Sequence, residues 1–408
     1  MTTSAKRAAI VGAGLAGDRC AFALRQTGFE GPITLIGAEP IRPYDRPPLS
    51  KSVLKSVGAE DEIFYRDEAE YVSAGIELML SRTVVGASLE EHSLTMSTSE
   101  RLAYDVLVLA TGSRLREVDS LPRGTDGVFY LRDRADALAL RTALEAGGRV
   151  AVIGGGVIGL EAAAAAAARR LPVTVVEPAP RIMGRASGAI VANWLAERHH
   201  RAGVAIQCGV SLANVSRVAG TYRLALTNGS IVEAEIVIVG VGVVPETTLA
   251  EKIGLLVVPE GIVVDGYGQT SDPSVFAAGE VAFHYNSRID KHERQENWFH
   301  AAAHGEHVGR SIVERTVDYS ELSGFWTDQY DISLQSTGRA VAERDVVRGD
   351  FSQDRFVVFH LDGDVVVGAS GVNASSELRQ AKTLIRNRAR VDAVKLADPQ
   401  VKVSAAAL

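Results

Sequence analysis

Apolar residues along this chain are grouped in two ways. Up to about residue 315 they form short unbroken runs: Ala8-Ala-Ile-Val11, Val106-Leu-Val-Leu109, Val150-Ala-Val-Ile153, Ile236-Val-Ile-Val239 and Val275-Phe-Ala-Ala278. A run with no polar alternation is the mark of a strand buried on both faces, as in a parallel sheet covered by helices. The stretches that follow the first and third runs read as helices. One of them contains the unbroken alanines Ala162 to Ala168; alanine is the best helix former, and its small side chain lets a helix lie close to its sheet. Beyond residue 315 the pattern changes. Aromatic residues appear, Arg355-Phe-Val-Val-Phe-His360 and Asp364-Val-Val-Val367 read as alternating strands, and a basic helix closes the chain. That end reads as a separate α+β domain.

One pattern occurs twice. Ala8-Ala-Ile-Val-Gly12-Ala-Gly14-Leu15-Ala16-Gly17 opens a helix, and the strand Ile33-Thr-Leu-Ile36 and Glu39 follow. Arg149-Val-Ala-Val-Ile-Gly154-Gly-Gly156-Val157-Ile158-Gly159 opens the alanine helix, and Val173-Thr-Val-Val176 and Glu177 follow. Strand, G-x-G-x-x-G turn, helix, strand and acid make up a dinucleotide-binding fingerprint. Gly12 and Gly154 permit the tight turn, Gly14 and Gly156 let a pyrophosphate approach the backbone, and Gly17 and Gly159 let helix and strand pack closely. Phosphate then meets the free N–H groups of the helix start. Glu39 and Glu177 are placed to bond ribose hydroxyls. Glu177 would also repel a 2′-phosphate and favour NADH, while Arg181 and Arg185 close behind would soften that preference or bind pyrophosphate.

The expected fold class is therefore α/β: two Rossmann-like dinucleotide-binding domains, the second inserted in the first, plus a C-terminal α+β domain. The boundaries fall at residues 1–112 and 245–315 for the first domain, 113–244 for the second and 316–408 for the third. A length of 408 residues agrees, implying roughly two to four domains.

Charge and composition narrow the function. A net charge of −7 argues against a general affinity for nucleic acid or an anionic membrane. No apolar run is long enough to span a bilayer. Met1-Thr-Thr-Ser-Ala-Lys-Arg7 passes straight into a strand-like segment too short for a signal-peptide core, so a cytoplasmic protein is expected. The two cysteines, Cys20 and Cys208, lie far apart, form no Cys-x-x-Cys pair and are too few to hold an iron–sulfur cluster. Both read as buried free thiols. His300, His304 and His307 fall on one helical face, but no accompanying ligand set makes them a metal site, and none is expected.

With these pieces placed, the chain resembles the ferredoxin reductases of bacterial oxygenase systems, which belong to the flavoproteins with two dinucleotide sites. The resemblance runs over nearly the whole chain. Its most specific segments are Pro43-Tyr-Asp-Arg-Pro-Pro-Leu-Ser-Lys51, Leu109-Ala110-Thr111-Gly112, Val275-Phe-Ala-Ala-Gly279-Glu280, Glu296-Asn-Trp298 and Phe325-Trp326-Thr-Asp-Gln-Tyr330. The resemblance implies FAD in the first glycine unit and NAD(H) in the second. It implies that Lys51 lies beside the flavin ring and that Glu161 lies near the nicotinamide and Lys51. Arg46, Arg132, the backbone near Val84, and the Ala110-Thr111-Gly112 turn would touch FAD. Gly279 and Glu280 would meet the ribityl chain, with glutamate where most relatives have aspartate. Trp298 would line the flavin pocket and Trp326 would approach the ring. Val241 and Gly242 would face the nicotinamide end of NADH.

The residues themselves point the same way. Hydride transfer asks the protein to hold nicotinamide against flavin in a near-attack geometry, and a cation such as Lys51 would stabilise the reduced ring. With no cysteine pair to relay electrons, they leave the flavin directly for an external acceptor. The partner expected is a [2Fe-2S] ferredoxin, docked on basic residues such as Arg310 and Arg315, which end one expected helix, or Lys382, Arg386, Arg388 and Arg390, which decorate another near the C-terminus, with Trp326 nearby. A rubredoxin, direct reaction with oxygen, and a flavin- and NADH-bound redox sensor remain open. Oligomeric state is read as monomer or weak dimer.

Overall fold

The computed structural model describes residues 6–315 and 317–408. The Met1–Ala5 lead-in and Thr316, the expected first residue of the third domain, lie outside the described residues. The chain divides into two compact units. The first comprises Met1–Asp45, Asp61–Arg114 and Val243–Glu321; the second comprises Arg46–Glu60, Leu115–Gly242 and Leu322–Leu408.

The first unit is built on a parallel five-stranded sheet in the order Val275–Ala277, Val106–Leu109, Ala8–Val11, Ile33–Ile36, Ile76–Met79. Every residue of the three central strands is buried. The unbroken apolar runs have that cause: one face packs on Leu94, Tyr104 and Ile262, the other on Cys20, Leu24 and Tyr71. The edge strand Val275–Ala277 comes after the whole second glycine unit in sequence yet pairs with Val106–Leu109, so the second nucleotide fold is an insertion in the first. The helix Leu15–Gln26 lies hard against the helix Trp298–Val313. A side chain at Gly305 would reach to 2.4 Å from the Ala16 carbonyl oxygen, which is why glycine stands there.

The second unit repeats the plan with a parallel sheet in the order Val204–Cys208, Val173–Glu177, Val150–Ile153, Ile236–Val239, Val128–Tyr130. An antiparallel meander of Leu212–Val218, Thr221–Leu226 and Ile231–Ala234 shares its core. The helix Val157–Ala168 is buried from Gly159 to Ala166, as its alanines allow. The C-terminal part of this unit is an antiparallel sheet in the order Gly324–Gln329, Ile332–Gly338, Val365–Val372, Arg355–Asp362, Arg344–Asp350. The helix Ser375–Arg386 covers one face through Leu378, Ala381, Leu384 and Ile385, a helical stripe.

Three expectations are corrected here. The strand Arg355–Asp362 does not alternate: it is buried from Phe356 to Leu361, because Val357 and Phe359 face the C-terminal helix while Phe356 meets Trp194 of the helix Ala189–Arg201. Arg315, Arg388 and Arg390 are not helical, since their helices end at Val313 and Arg386. Cys208 is only partly buried, at the end of its strand, whereas Cys20 is fully buried; both are free. Among the described residues no helix is long and apolar enough to cross a membrane.

Candidate functional site

In the first unit the glycine turn has the geometry its spacing requires. Gly12 has φ +117°, and a Cβ there would lie 2.1 Å from the Ala110 carbonyl oxygen, so the turn presses directly on the Ala110-Thr111-Gly112 loop. A Cβ at Gly17 would lie 2.0 Å from the Gly12 carbonyl oxygen. Gly14 is the opposite case. It caps the helix Leu15–Gln26 with no side-chain hydrogen bond, and a Cβ on it would meet nothing within 4 Å. Open ground over the free N–H groups of Leu15, Ala16 and Gly17 is what a phosphate needs. Glu39, beyond the second strand, accepts a hydrogen bond from the Tyr44 hydroxyl at 2.6 Å.

The rest of this unit's expected residues are also held. Thr111 Oγ1 donates to the Glu246 carbonyl at 2.7 Å, and Gly112 takes φ +67°. Gly279 (φ +76°) opens a single 3₁₀ turn that carries Glu280. Ser113 Oγ donates to the Glu280 carboxylate at 2.9 Å, while Arg294 donates to Ser113 Oγ and to the Glu280 carbonyl, at 2.9 and 2.8 Å. Trp298 begins its helix behind the Asn297 cap and donates Nε1–H to Asp45 at 2.7 Å. Val84 starts the strand Val84–Ser88 and packs into the core.

The same helix carries His300, His304 and His307, whose rings stack with His284 around Tyr319. Parallel rings do not converge on a point, and among the described residues no group of three or more His, Cys, Asp or Glu is arranged to hold a metal. Burial pushes His284 down to about 4 and His300 and His304 well below the ordinary histidine range. His304 Nδ1 accepts the Gly279 N–H at 3.0 Å, fixing the turn that carries Glu280.

In the second unit Gly154 (φ +107°) presses on Gly240, where a Cβ would come within 2.4 Å of the carbonyl oxygen, and Gly159 packs on Gly154. Gly156 again stands over open space at the helix start, followed by Val157 and an exposed Ile158. Glu177 is oriented by backbone: its two oxygens accept the Gly155 and Ala179 N–H groups at 2.6 and 2.7 Å. Val241 and Gly242 follow the strand Ile236–Val239; Gly242 has φ +98°, and Arg185 Nη2 would lie 3.1 Å from a Cβ there.

Lys51 and Glu161 meet in this unit. Lys51 Nζ lies 2.6 Å from Glu161 Oε1, with the carboxylate side chain 1% exposed and the lysine 14%. Ser50 Oγ donates to the other carboxylate oxygen, and Thr327 Oγ1 donates to Oε1 at 2.5 Å. The ammonium also sits 5.8 Å from the centre of the Trp326 ring, within cation–π range. The Lys51 segment is anchored firmly: Arg141 donates to the Val53 and Ser56 carbonyls and to both Glu60 oxygens, and Arg46 donates to the Arg132 carbonyl. Arg310, paired with Glu306, belongs to the first unit; Trp326 and Arg386 belong to the second.

Sequence reasoning missed Ser50, Thr327, Ser113, Arg294 and Asp45. Ser50, Thr327, Asp45 and Ser113 had a signal, standing next to the expected residues Lys51, Trp326, Arg46 and Gly112. Arg294, 181 positions from Ser113, had none.

Two parallel sheets, each with a glycine turn that opens a helix, and a C-terminal antiparallel sheet are the architecture of a pyridine-nucleotide oxidoreductase. Residues 6–305 match the pyridine nucleotide-disulphide oxidoreductase family and residues 324–407 match the reductase C-terminal family. The chain belongs to the pyridine nucleotide-disulphide oxidoreductases, and within them to the ferredoxin–NAD(+) reductase group. It is 39% identical over 393 residues to the ferredoxin–NAD(+) reductase component of the p-cumate 2,3-dioxygenase system of Pseudomonas putida, covering 96% of each chain. The ferredoxin reductase for the CYP199A2 system of Rhodopseudomonas palustris superposes with a TM-score of 0.95 at 32% identity, over 99% of this chain and 100% of that one. The reductase of a covalent putidaredoxin reductase–putidaredoxin complex superposes with a TM-score of 0.92 at 33% identity, over 98% of each chain.

Proposed function

We propose that this oxidoreductase oxidises NADH on a bound FAD and passes the electrons singly to a [2Fe-2S] ferredoxin that feeds an oxygenase. The observation that carries the reading is the Lys51–Glu161 pair, buried next to Trp326 in the unit that also holds the second glycine turn. An internal lysine–carboxylate pair gains little stability over apolar residues, so its presence there points to function.

The residues fit both nucleotides. For FAD we assign Gly12, Gly14, Leu15, Ala16 and Gly17 to the pyrophosphate, Glu39 to the ribose, and Gly279 and Glu280 to the ribityl chain. Ala110, Thr111, Gly112, Val84, Trp298, Arg46, Arg132 and Lys51 complete the set. The open space over Gly14 and the polar group of Ser113, Arg294 and Glu280 are the features that suit it. For NADH we assign Gly154, Gly156, Val157, Ile158 and Gly159 to the pyrophosphate, Glu177 to the ribose, and Arg185, Val241 and Gly242 to the remainder. We assign residues 1–112 with 245–315 to the FAD domain, 113–244 to the NAD(H) domain and 316–408 to a C-terminal α+β domain. We assign Trp326, Arg310 and Arg386 to ferredoxin docking, and the cytoplasm as the compartment.

Bound FAD supplies the capacity to take up a hydride and release electrons one at a time. The chain's part is to orient the nucleotides through the helix starts and acids, and to hold the Lys51 ammonium in place through Glu161. With the described thiols free and Cys20 pushed up to about 12 by burial, neither offers a thiolate relay.

Anaerobic stopped-flow tests the reading. Fast bleaching of the flavin by NADH, followed by fast reduction of an added [2Fe-2S] ferredoxin, is expected. Bleaching with no ferredoxin reduction, and reoxidation by rubredoxin or oxygen instead, would overturn the choice of acceptor.

A further inference from the structure

Glu161 is 2% exposed inside a helix otherwise made of small and apolar residues. A carboxylate there needs donors from the protein, because it has almost no contact with bulk solvent. Thr327 is one of them, and it is itself fully buried. An ionised carboxylate only accepts, so the single hydroxyl proton of Thr327 is committed to Glu161. That commitment propagates. Thr327 Oγ1 must accept from Gln329, whose Nε2 lies 3.0 Å away. The Gln329 amide then turns its oxygen to His199 Nε2, at 2.7 Å, which must carry the ring proton. His199 Nδ1 is left bare and takes the Tyr330 hydroxyl proton at 2.8 Å. Thr327 and Gln329 share one face of the strand Gly324–Gln329, and Arg198 clamps the end of the line, its guanidinium 4.7 Å from the Tyr330 ring centre and 2.5 Å from Asp331. Burial, then the charge of Arg198, holds His199 down at about 4, so the ring is neutral as the line requires.

We propose that Thr327, Gln329, His199 and Tyr330 are positioning residues: a one-directional hydrogen-bond line that fixes the Glu161 carboxylate and, through it, the Lys51 ammonium. The proposal rests on the assignment of the Lys51–Glu161 pair to the hydride-transfer site. A proton wire is the obvious rival. Oxidation of NADH by a pair of one-electron acceptors yields NAD+ and releases one proton, so a wire would have to carry protons outward. Every donor in this line points inward, and the Gln329 amide relays a proton only through a costly tautomer. Simple satisfaction of buried polar groups is the other rival, and it predicts loss of stability without any effect at the pair.

Thr327→Val removes the donor with little change of shape, and Thr327→Ser keeps it. Single-turnover flavin reduction would be followed against NADH concentration in the FAD-loaded protein, and the flavin midpoint potential measured beside it. Thr327→Val and Gln329→Leu are expected to lower the limiting rate about tenfold and shift the potential, with little change in half-saturation by NADH, and Thr327→Ser to restore both. A wild-type rate and potential in Thr327→Val, with both altered in Glu161→Gln, would overturn the line alone. No effect of Glu161→Gln would overturn the assignment of the pair. Should Thr327→Val fail to fold, the unsubstituted protein decides: in 15N-histidine-labelled protein the His199 ring proton, identified by its loss in His199→Gln, is expected on Nε2, and a proton on Nδ1 sinks the proposal.

Discussion

Glu177 shows how much one side chain carries. Both of its oxygens already hold backbone N–H groups, which aims their remaining lone pairs away from the Gly155 turn and leaves a fixed negative charge where the second nucleotide is assigned. Replacing it by alanine leaves two N–H groups without their partner and, on the assignment of Glu177 to the ribose, removes an acceptor and lifts the repulsion of a 2′-phosphate. Glu177→Ala is therefore expected to raise the half-saturation for NADH about tenfold and to narrow the gap to NADPH. Steady-state kinetics with both nucleotides check this, and unchanged values for both would remove the acid from the site. Lys51 acts on a different quantity. Its loss leaves Glu161 in the interior without a counter-charge, an arrangement that costs roughly 3 kcal/mol. Lys51→Ala is expected to lower the melting temperature and slow flavin reduction. Adding Glu161→Gln should recover the melting temperature but not the rate, because the buried charge is gone while the cation is still missing.

At the scale of elements, the helix Trp298–Val313 packs with a histidine stack against Tyr319. These rings are neutral in the folded protein. His284 falls from 6.5 to about 4, chiefly through burial. A depressed histidine binds its proton more readily in the unfolded chain, so stability is complete above pH 6.5 and is lost as pH falls toward 4, by up to roughly 3 kcal/mol for this ring. Melting temperature measured from pH 7.5 down to 5 is expected to hold level to about pH 6.5 and to drop below it. His304→Gln, which keeps an acceptor for the Gly279 N–H, should flatten that drop; an identical acid profile would show that His304 does not contribute to it. This helix also marks where the sequence could be read and where it could not. The buried strands and both glycine turns were legible because each is a contiguous pattern whose period or glycine spacing has a single physical cause. The contacts that tune the candidate site were not: Thr327 reaches Glu161 across 166 positions, Ser113 reaches Glu280 across 167, and Asp45 reaches Trp298 across 253. Only tertiary packing sets those pairs. The strand Arg355–Asp362 was misread as half-buried for the same reason, since the covering helix that supplies Trp194 lies far upstream in the chain.

For the molecule as a whole, net charge and local charge make opposite demands. The protein carries −7, and a ferredoxin partner is expected to be acidic as well, so the two repel at long range. At a Debye length of about 8 Å in physiological salt, that repulsion is largely screened beyond the nearest side chains, and local basic residues decide the encounter. Arg310 and Arg386, at the last turns of their helices, are the residues assigned to that role. If they act in docking, kcat/KM for ferredoxin falls as salt is raised from about 50 to about 300 mM, because the attraction being screened is the short-range one. Arg386→Glu and Arg310→Glu are then each expected to lower kcat/KM for ferredoxin about fivefold at the low-salt end and to flatten the salt dependence, an effect on encounter rather than on hydride uptake. NADH-driven flavin bleaching in the same samples isolates the first half-reaction as the reference. A ferredoxin rate that climbs with salt in the unsubstituted protein would mean that the repulsion of two acidic molecules governs the approach, and the docking assignment of both arginines would fall with it.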